Sequence, residues 1–209
     1  MTSHFHRIRT FLVGATVASM GLGWAPDTHA DKVDSITKAA YIRNALNFAE
    51  WPKGTFPSKS DPVILGVAGD ARQIEKSFRL AFEKLGHRIQ NRKVVIKGFD
   101  DPMELAAALL KDGARACQAI YLPASLETRN WIQTLGKHPV ILVSDEEDFI
   151  AQGGEVSLSP KPGAEGRYLY DIHIQRLKAR GLRFNSSFLR IRKAVRIVNT
   201  KDTFVSSKP

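Results

Sequence analysis

The sequence contains a single cysteine, Cys117, so the chain cannot form a disulfide bond within itself. A small fold held together by disulfides is therefore excluded, and a hydrophobic core must stabilise the protein. Cys117 begins the apolar segment 117–122. Because unpaired cysteines are among the most deeply buried residues, we expect this thiol in the core and not at a reactive site.

The sequence also lacks the common motifs of catalytic and metal sites. It has no Gly-x-Gly-x-x-Gly, no Walker sequence and no Gly-x-Ser-x-Gly. His87, His138 and His173 do not stand at metal-ligand spacing from one another or from the cysteine. His173 lies two residues after Asp171, which would place both on one face of a strand, but no nucleophile motif accompanies the pair. We expect no enzyme, no metal site and no cofactor.

A long uncharged run occurs only at the N-terminus. Arg7 and Arg9 precede residues 11–25, which carry no charge, and Thr28-His29-Ala30 then supplies small residues at a cleavage point. This order is typical of a secretory signal peptide, here residues 1–30. An uncleaved anchor would need about 20 predominantly apolar residues. We therefore expect an exported protein that is soluble, with no transmembrane segment after cleavage.

The charge of the chain is strongly positive. It has 31 Lys and Arg residues against 21 Asp and Glu residues, a net charge of +10. Such a balance favours anionic partners, for example acidic protein surfaces or lipid headgroups. Because export separates the chain from nucleic acid, we expect no nucleic-acid partner.

Strands and helices alternate in the first part of the chain. Apolar runs predict strands, and apolar residues at spacings of three and four predict helices. Pro102 and Asp101 fit the first position and the cap of one helix. The predicted order is helix 36–51, strand 63–68, helix 72–85, strand 94–96, helix 102–111, strand 117–122, helix 126–135 and strand 140–143. This order predicts an α/β fold in three layers, a mostly parallel sheet with helices on both faces.

The pattern changes after residue 150. Segments 155–158 and 167–174 predict two strands joined by a Pro/Gly loop, a short antiparallel addition at the sheet edge. A short helix around Leu177 follows. Phe188 and the apolar residues after it predict a basic amphipathic helix over 187–198, whose apolar face packs on the sheet. We predict one domain over 31–199 and a disordered tail over 200–209.

Two polar turns follow predicted strands. Gly69 and Asp70 follow the first, and Ser144 and Asp145 follow the fourth. The carboxyl ends of parallel strands are the usual ligand crevice of such sheets, so these four residues are candidates for a small-ligand site. An ordinary strand-to-helix turn also explains Gly69-Asp70. For the acidic run 145–148, a helix N-terminus fits better than a calcium site.

Four segments in order resemble the YfiR-like family of periplasmic proteins. They are Ala39-Ala40-Tyr41-Ile42 with Asn47-Phe48-Ala49-Glu50-Trp51-Pro52; Ile64-Leu65-Gly66-Val67-Ala68-Gly69-Asp70; Val143-Ser144-Asp145 with Phe149 and Gly153-Gly154; and Gly181-Leu182 with Ser186-Ser187 and Leu189. The resemblance covers about residues 36–199. It implies a periplasmic protein that represses a membrane-bound diguanylate cyclase by binding its periplasmic domain, so that release raises cyclic-di-GMP and promotes biofilm.

The chain departs from this family in two respects. Family members of the namesake type carry disulfides, which this chain cannot form internally, and His173 stands where an Asn would be more typical. We expect a partner-binding surface in the C-terminal part, made by Tyr168, Tyr170, Phe188, Arg190 and Arg192. The expected partner is an inner-membrane signalling protein. A homodimer and a small-ligand sensor remain open alternatives.

Overall fold

The computed structural model of the protein describes residues 28–69 and 72–199. The predicted signal peptide lies outside the described residues except for its last three. The predicted tail over 200–209 and Asp70 also lie outside them. No helix within the described ranges is long and apolar enough to cross a membrane.

The structure contains six α-helices among the described residues. They are α1 (Thr28–Leu46), α2 (Arg72–Leu85), α3 (Pro102–Asp112), α4 (Thr128–Leu135), α5 (Ile174–Ala179) and α6 (Ser186–Leu189). A short 3-10 helix, Gly113–Arg115, follows α3. The predicted cap of α3 is confirmed, because the Asp101 carboxylate accepts a hydrogen bond from the backbone N–H of Glu104.

Ten strands accompany these helices within the same described ranges. They are β1 (Ala49–Glu50), β2 (Val63–Ala68), β3 (Arg88–Ile89), β4 (Arg92–Phe99), β5 (Ala119–Leu122), β6 (Ile141–Ser144), β7 (Val156–Pro160), β8 (Tyr168–Ile172), β9 (Arg183–Phe184) and β10 (Val195–Ile197). Eight of them form one sheet in the order β10-β8-β7-β6-β5-β2-β4-β3, and β1 pairs with β9. The five central strands are parallel to one another.

Helices cover both faces of the sheet. Side chains alternate along β5, so that Ala119 and Tyr121 pack on one face and Ile120 and Leu122 on the other. The first face packs against α1, α2, α5 and α6, and the second against α3 and α4. The predicted three-layer α/β fold is confirmed. The antiparallel edge addition is confirmed as well, because β7 and β8 pair antiparallel.

The helix predicted over 36–51 ends five residues earlier, at Leu46. Its apolar stripe, Ala39, Ile42, Leu46 and Ala49, is buried as the spacing predicts. Ala49 and its neighbour, however, form β1 and pair with β9, more than a hundred residues away in the chain. The pairing is nonlocal, so the local periodicity could not reveal it.

The helix predicted over 187–198 is wrong. Only α6 is helical there, and residues 195–197 form β10, which extends the sheet beyond β8. The backbone N–H of Tyr170 donates to Ala194 at 2.8 Å and that of Val198 to Ile172 at 2.9 Å. β-branched residues favour a strand, and the open edge of β8 supplies its hydrogen bonds. Ile191, placed on the apolar face by the helical pattern, is instead 44% exposed.

The acidic run 145–148 does not begin a helix, contrary to the prediction. Residues 147–153 form consecutive turns. The Ser144 hydroxyl accepts from the N–H of Glu146 at 3.0 Å, and Asp145 accepts from the N–H of Ala124 at 3.0 Å. Such side-chain bonds to the backbone compete with a helical turn.

A buried ion pair follows these turns. Glu155 is fully buried, accepts from the N–H of Leu142 at 3.1 Å and lies 3.2 Å from Nε of Arg180. Burial raises the pKa of Glu155, and the Arg180 charge opposes that shift. The carboxylate therefore joins β6, β7 and the end of α5.

Gly154 packs directly beneath the Phe149 ring. A Cβ at this position would overlap the ring, and Phe149 is itself fully buried. We expect Gly154→Ala to lower the free energy of unfolding by about 1–3 kcal/mol, the usual cost of overpacking, as measured by urea denaturation. In a Phe149→Ala background the same change should cost much less. Equal costs in both backgrounds would contradict this packing.

Candidate functional site

A cleft opens at the carboxyl ends of β2, β5 and β6. The sheet order changes direction here, because β4 lies on one side of β2 whereas β5 and β6 lie on the other. Ligands of open α/β sheets usually bind at such a point. The cleft encloses about 360 Å³ between the carboxyl ends of these strands and helices α1 and α2. Its wall combines charged, hydroxyl and apolar side chains: Asp34, Ser35, Lys38, Gln73, Ile74, Ser77, Tyr121, Pro123, Ala124, Ser125 and Asp145.

A network of ion pairs and hydrogen bonds lies in this cleft. The Lys38 ammonium pairs with Asp145 at 2.7 Å and also with Asp34, one helical turn before it. The Tyr121 hydroxyl donates to Asp145 at 2.7 Å, and the Tyr168 hydroxyl donates to Asp34. One ammonium group therefore bridges two carboxylates, each of which also accepts from a tyrosine.

The surroundings keep these groups in defined protonation states. Burial alone would lower the pKa of Lys38, but hydrogen bonds and charges from Asp145 and Asp34 outweigh it and raise the pKa. Burial, reinforced by Asp145, raises the pKa of Tyr121, and burial with the Asp34 hydrogen bond raises that of Tyr168. At neutral pH Lys38 is charged and both tyrosines are hydrogen-bond donors, so the network carries a charge of about −1.

A second cavity adjoins the first. It encloses about 720 Å³ and shares Ala124 and Asp145 with the cleft. Its other lining residues are polar or charged except for Pro160: Glu146, Glu147, Ser157, Ser159, Asp171 and Arg196. The Arg196 guanidinium binds the Asp171 carboxylate through two contacts of 2.5 and 2.7 Å. The two cavities meet at Ala124 and Asp145, and we call them together the groove.

The four residues that the sequence predicts at a small-ligand site occupy different positions in the structure. Asp145 lines both cavities. Ser144 is fully buried at the end of β6 and orients the loop through its bond to Glu146. Gly69, at φ +81°, forms the turn after β2 and packs near Leu126. Asp70 lies outside the described residues.

The sequence-based predictions do not include three residues of the cleft, Asp34, Lys38 and Tyr121. The spacing of four between Asp34 and Lys38 nevertheless indicates an ion pair on one helix face.

The C-terminal part of the chain carries an unbalanced positive charge. Residues 172–199 contain eight Lys and Arg residues and no Asp or Glu. Three of these eight residues are close to a carboxylate from another part of the chain. Arg176 and Arg180 lie near Glu155, and Arg196 pairs with Asp171. The other five are exposed, and none has a carboxylate within 4.0 Å among the described residues: Lys178, Arg183, Arg190, Arg192 and Lys193. We call these five residues, with exposed Ile191 between them, the basic surface.

A small apolar pocket lies beside the basic surface. It encloses about 70 Å³ between α5, β9 and α6, and Lys178 and Arg183 stand among its lining residues. The remaining lining is apolar: Ile174, Leu177, Leu182, Phe184 and Leu189. Such a pocket can accept one aliphatic or aromatic side chain, and its charged neighbours would favour acidic residues around that side chain.

The five residues expected at the partner surface differ in exposure. Arg190 and Arg192 are exposed on the basic surface. Tyr170 and Phe188 are 2% and 1% exposed, and they pack edge to face at 5.1 Å between ring centroids. Tyr168 is half-buried and belongs to the Lys38 network through Asp34. Of these five residues, only the two arginines are exposed.

His173 and Cys117 both have structural positions. His173 caps α5, accepting from the N–H of Arg176 at 3.3 Å, and burial followed by the Arg176 charge lowers its pKa. Cys117 is fully buried, as predicted, and burial raises the pKa of its thiol to about 12. Such a thiol is a poor nucleophile. Within the described ranges, no three His, Cys, Asp or Glu side chains form a group that could hold a metal ion.

Comparison with known proteins identifies the family. A search of curated proteins returns no match. The model of one protein family, described as YfiR/HmsC-like, matches residues 36–192. This range contains strands β2 to β8, most of the residues that line the cleft and most of the basic surface. Because the match covers well over half of the chain, the protein belongs to the YfiR/HmsC-like family.

Proposed function

We propose that this protein is a periplasmic repressor that binds the periplasmic domain of a membrane-bound diguanylate cyclase and holds it inactive. The family is periplasmic and regulatory rather than catalytic, which supports the general class of this function. The basic surface supports the specific mode of action. Binding there would place the protein on the outer face of the membrane enzyme, and release would raise cyclic-di-GMP inside the cell.

The observation that carries this proposal is the unpaired charge of residues 172–199. Exposed basic residues usually stand near acidic ones, because mixed charge lowers self-repulsion. Here two exposed basic side chains, Lys178 and Arg183, line an apolar pocket, and three more, Arg190, Arg192 and Lys193, lie beside exposed Ile191 in the chain. A partner of complementary chemistry has an acidic face with one apolar side chain that enters the pocket. Charge pairs around such a contact speed association and set its specificity.

Affinity purification from native membranes tests this proposal. The exported protein, tagged at its C-terminus, should recover an inner-membrane protein with a cytoplasmic diguanylate cyclase domain from mild detergent extracts. The amount recovered should fall as salt concentration rises, because screening weakens exposed charge contacts. Recovery of no inner-membrane signalling protein at low salt would contradict the proposal.

A second function, a small-ligand sensor, is favoured by the cleft. Its volume of about 360 Å³ lies within the range of ligand pockets, and it occupies the position where such sheets bind ligands. A thermal-shift screen over sugars, nucleotides, amino acids and amines tests this function. Saturation at 100 times Kd should add about 2.7 kcal/mol to the free energy of unfolding. A flat screen would contradict it.

A further inference from the structure

The groove at the carboxyl ends of the strands carries a negative charge, opposite in sign to the net charge of the chain. Its two cavities are lined by five carboxylates, Asp34, Asp145, Glu146, Glu147 and Asp171, and by two basic side chains, Lys38 and Arg196. The whole chain, in contrast, has a net charge of +10. Solubility alone does not require a negative groove in a basic protein, and concave sites of one charge concentrate ligands of the opposite charge.

Internal pairing leaves part of this negative charge uncompensated. Arg196 neutralises Asp171, and Lys38 is shared between Asp34 and Asp145. Glu146 and Glu147 have no basic side chain within 4.0 Å among the residues described, and Glu147 is exposed. One negative charge therefore remains in the cleft around Lys38, and two remain in the adjoining cavity.

Asp145 stands where the two cavities meet. Its side chain is only 12% exposed, its Oδ2 pairs with Lys38, and its Oδ1 accepts from Tyr121 and from the N–H of Ala124. The carboxylate is thus fixed in orientation before any ligand arrives, which lowers the entropic cost of binding. An elongated ligand in both cavities would pass this residue.

We propose that the groove binds an elongated organic cation with an ammonium group near each end, of the diamine or polyamine class. One ammonium group would lie between Asp34 and Asp145, beside or in place of Lys38, and the other near Glu146 and Glu147. The apolar walls made by Ile74, Pro123 and Ala124 would contact the methylene chain. This inference rests on the ligand-sensing function proposed above and names its ligand class.

Calorimetric titration of the purified exported protein with 1,4-diaminobutane and 1,5-diaminopentane tests this proposal. Butylamine, 1,4-butanediol and succinate at the same ionic strength serve as comparison ligands. We expect the diamines to bind at least several-fold more tightly than butylamine, because they engage both ends of the groove. The diol and the dicarboxylate should not bind.

Variants test where the ligand lies. Glu147→Gln, at an exposed side chain, should reduce diamine affinity toward that of butylamine, and Asp145→Asn should abolish binding. Lys38→Met should increase affinity, because it removes the competing ammonium group. Glu83→Gln, an exposed substitution on α2, is the matched control and should change nothing. Melting temperatures measured without ligand show that each variant is folded.

The outcomes separate the ligand class from the sensing function. Binding of sugars or nucleotides without diamines would overturn the ligand class and keep a sensor. No binding of any compound would overturn both. Equal affinity for diamine and butylamine, or an equal loss in Glu83→Gln and Glu147→Gln, would show nonspecific attraction and overturn the groove as the site.

Discussion

Reversing the charge at Arg190 and Arg192 together should weaken binding to the membrane partner by at least about tenfold, with no loss of stability. Both side chains are exposed on the basic surface. Opposite an acidic partner, a reversed charge creates like-charge contacts that cost several kcal/mol, and 1.4 kcal/mol corresponds to tenfold. Substitutions at exposed positions usually change stability by no more than about 0.5 kcal/mol.

The affinity is measured by binding the partner domain to a surface and titrating each variant over it. Arg129→Glu with Lys137→Glu is the matched control, because these exposed residues lie on and beside α4, on the opposite face of the sheet. The control should bind like the unmodified protein. The Arg190→Glu, Arg192→Glu variant should also show a shallower dependence of affinity on salt. Equal affinity of the two double variants would show that the basic surface does not bind the partner.

Replacing Phe188 by Ala should lower the free energy of unfolding by about 3–5 kcal/mol, the usual cost of deleting a buried phenylalanine. The Phe188 ring is 1% exposed and stacks on Phe48 at 5.2 Å between centroids. It also contacts the rings of Tyr170 and Phe184 at 5.1 and 5.3 Å. This cluster attaches α6 to the end of α1 and to the sheet.

Urea denaturation measures this loss, and Phe188→Leu is the conservative comparison, with an expected cost below about 1.5 kcal/mol. Partner binding by folded Phe188→Leu should remain unchanged, because the ring lies in the core and supports Arg190 and Arg192 only indirectly. A Phe188→Ala variant of normal stability that fails to bind would show instead that the ring is a surface contact.

The parallel sheet could be predicted because its strands are short apolar runs separated by amphipathic helices. α2 begins and ends at the residues that the periodicity indicates, and β2 does as well. These signals are local. The C-terminal segment was misread for the same reason, since the spacing of Phe188, Ile191 and Val195 is helical. Only the open edge of β8, far away in the sequence, selects a strand for residues 195–197.

The candidate site shows the same limit. Asp145 could be identified from the sequence because it follows a buried strand at the carboxyl edge of the sheet. Lys38 and Asp34 could not be placed there, because α1 reaches the cleft only through packing of the whole domain. Phe188 is an aromatic residue, a type common at protein interfaces. Its burial depends on Phe48 and Tyr170, which come from distant parts of the chain.

The central claim is that this protein acts in the periplasm to hold a diguanylate cyclase inactive. Intracellular cyclic-di-GMP tests it most directly, measured in cells that lack the protein and in cells resupplied with it. We predict that cyclic-di-GMP rises in its absence and returns to normal with the full chain, but not with a version lacking residues 1–30 or with Arg190→Glu, Arg192→Glu. An unchanged level in its absence, or restoration by the version without residues 1–30, would contradict the account.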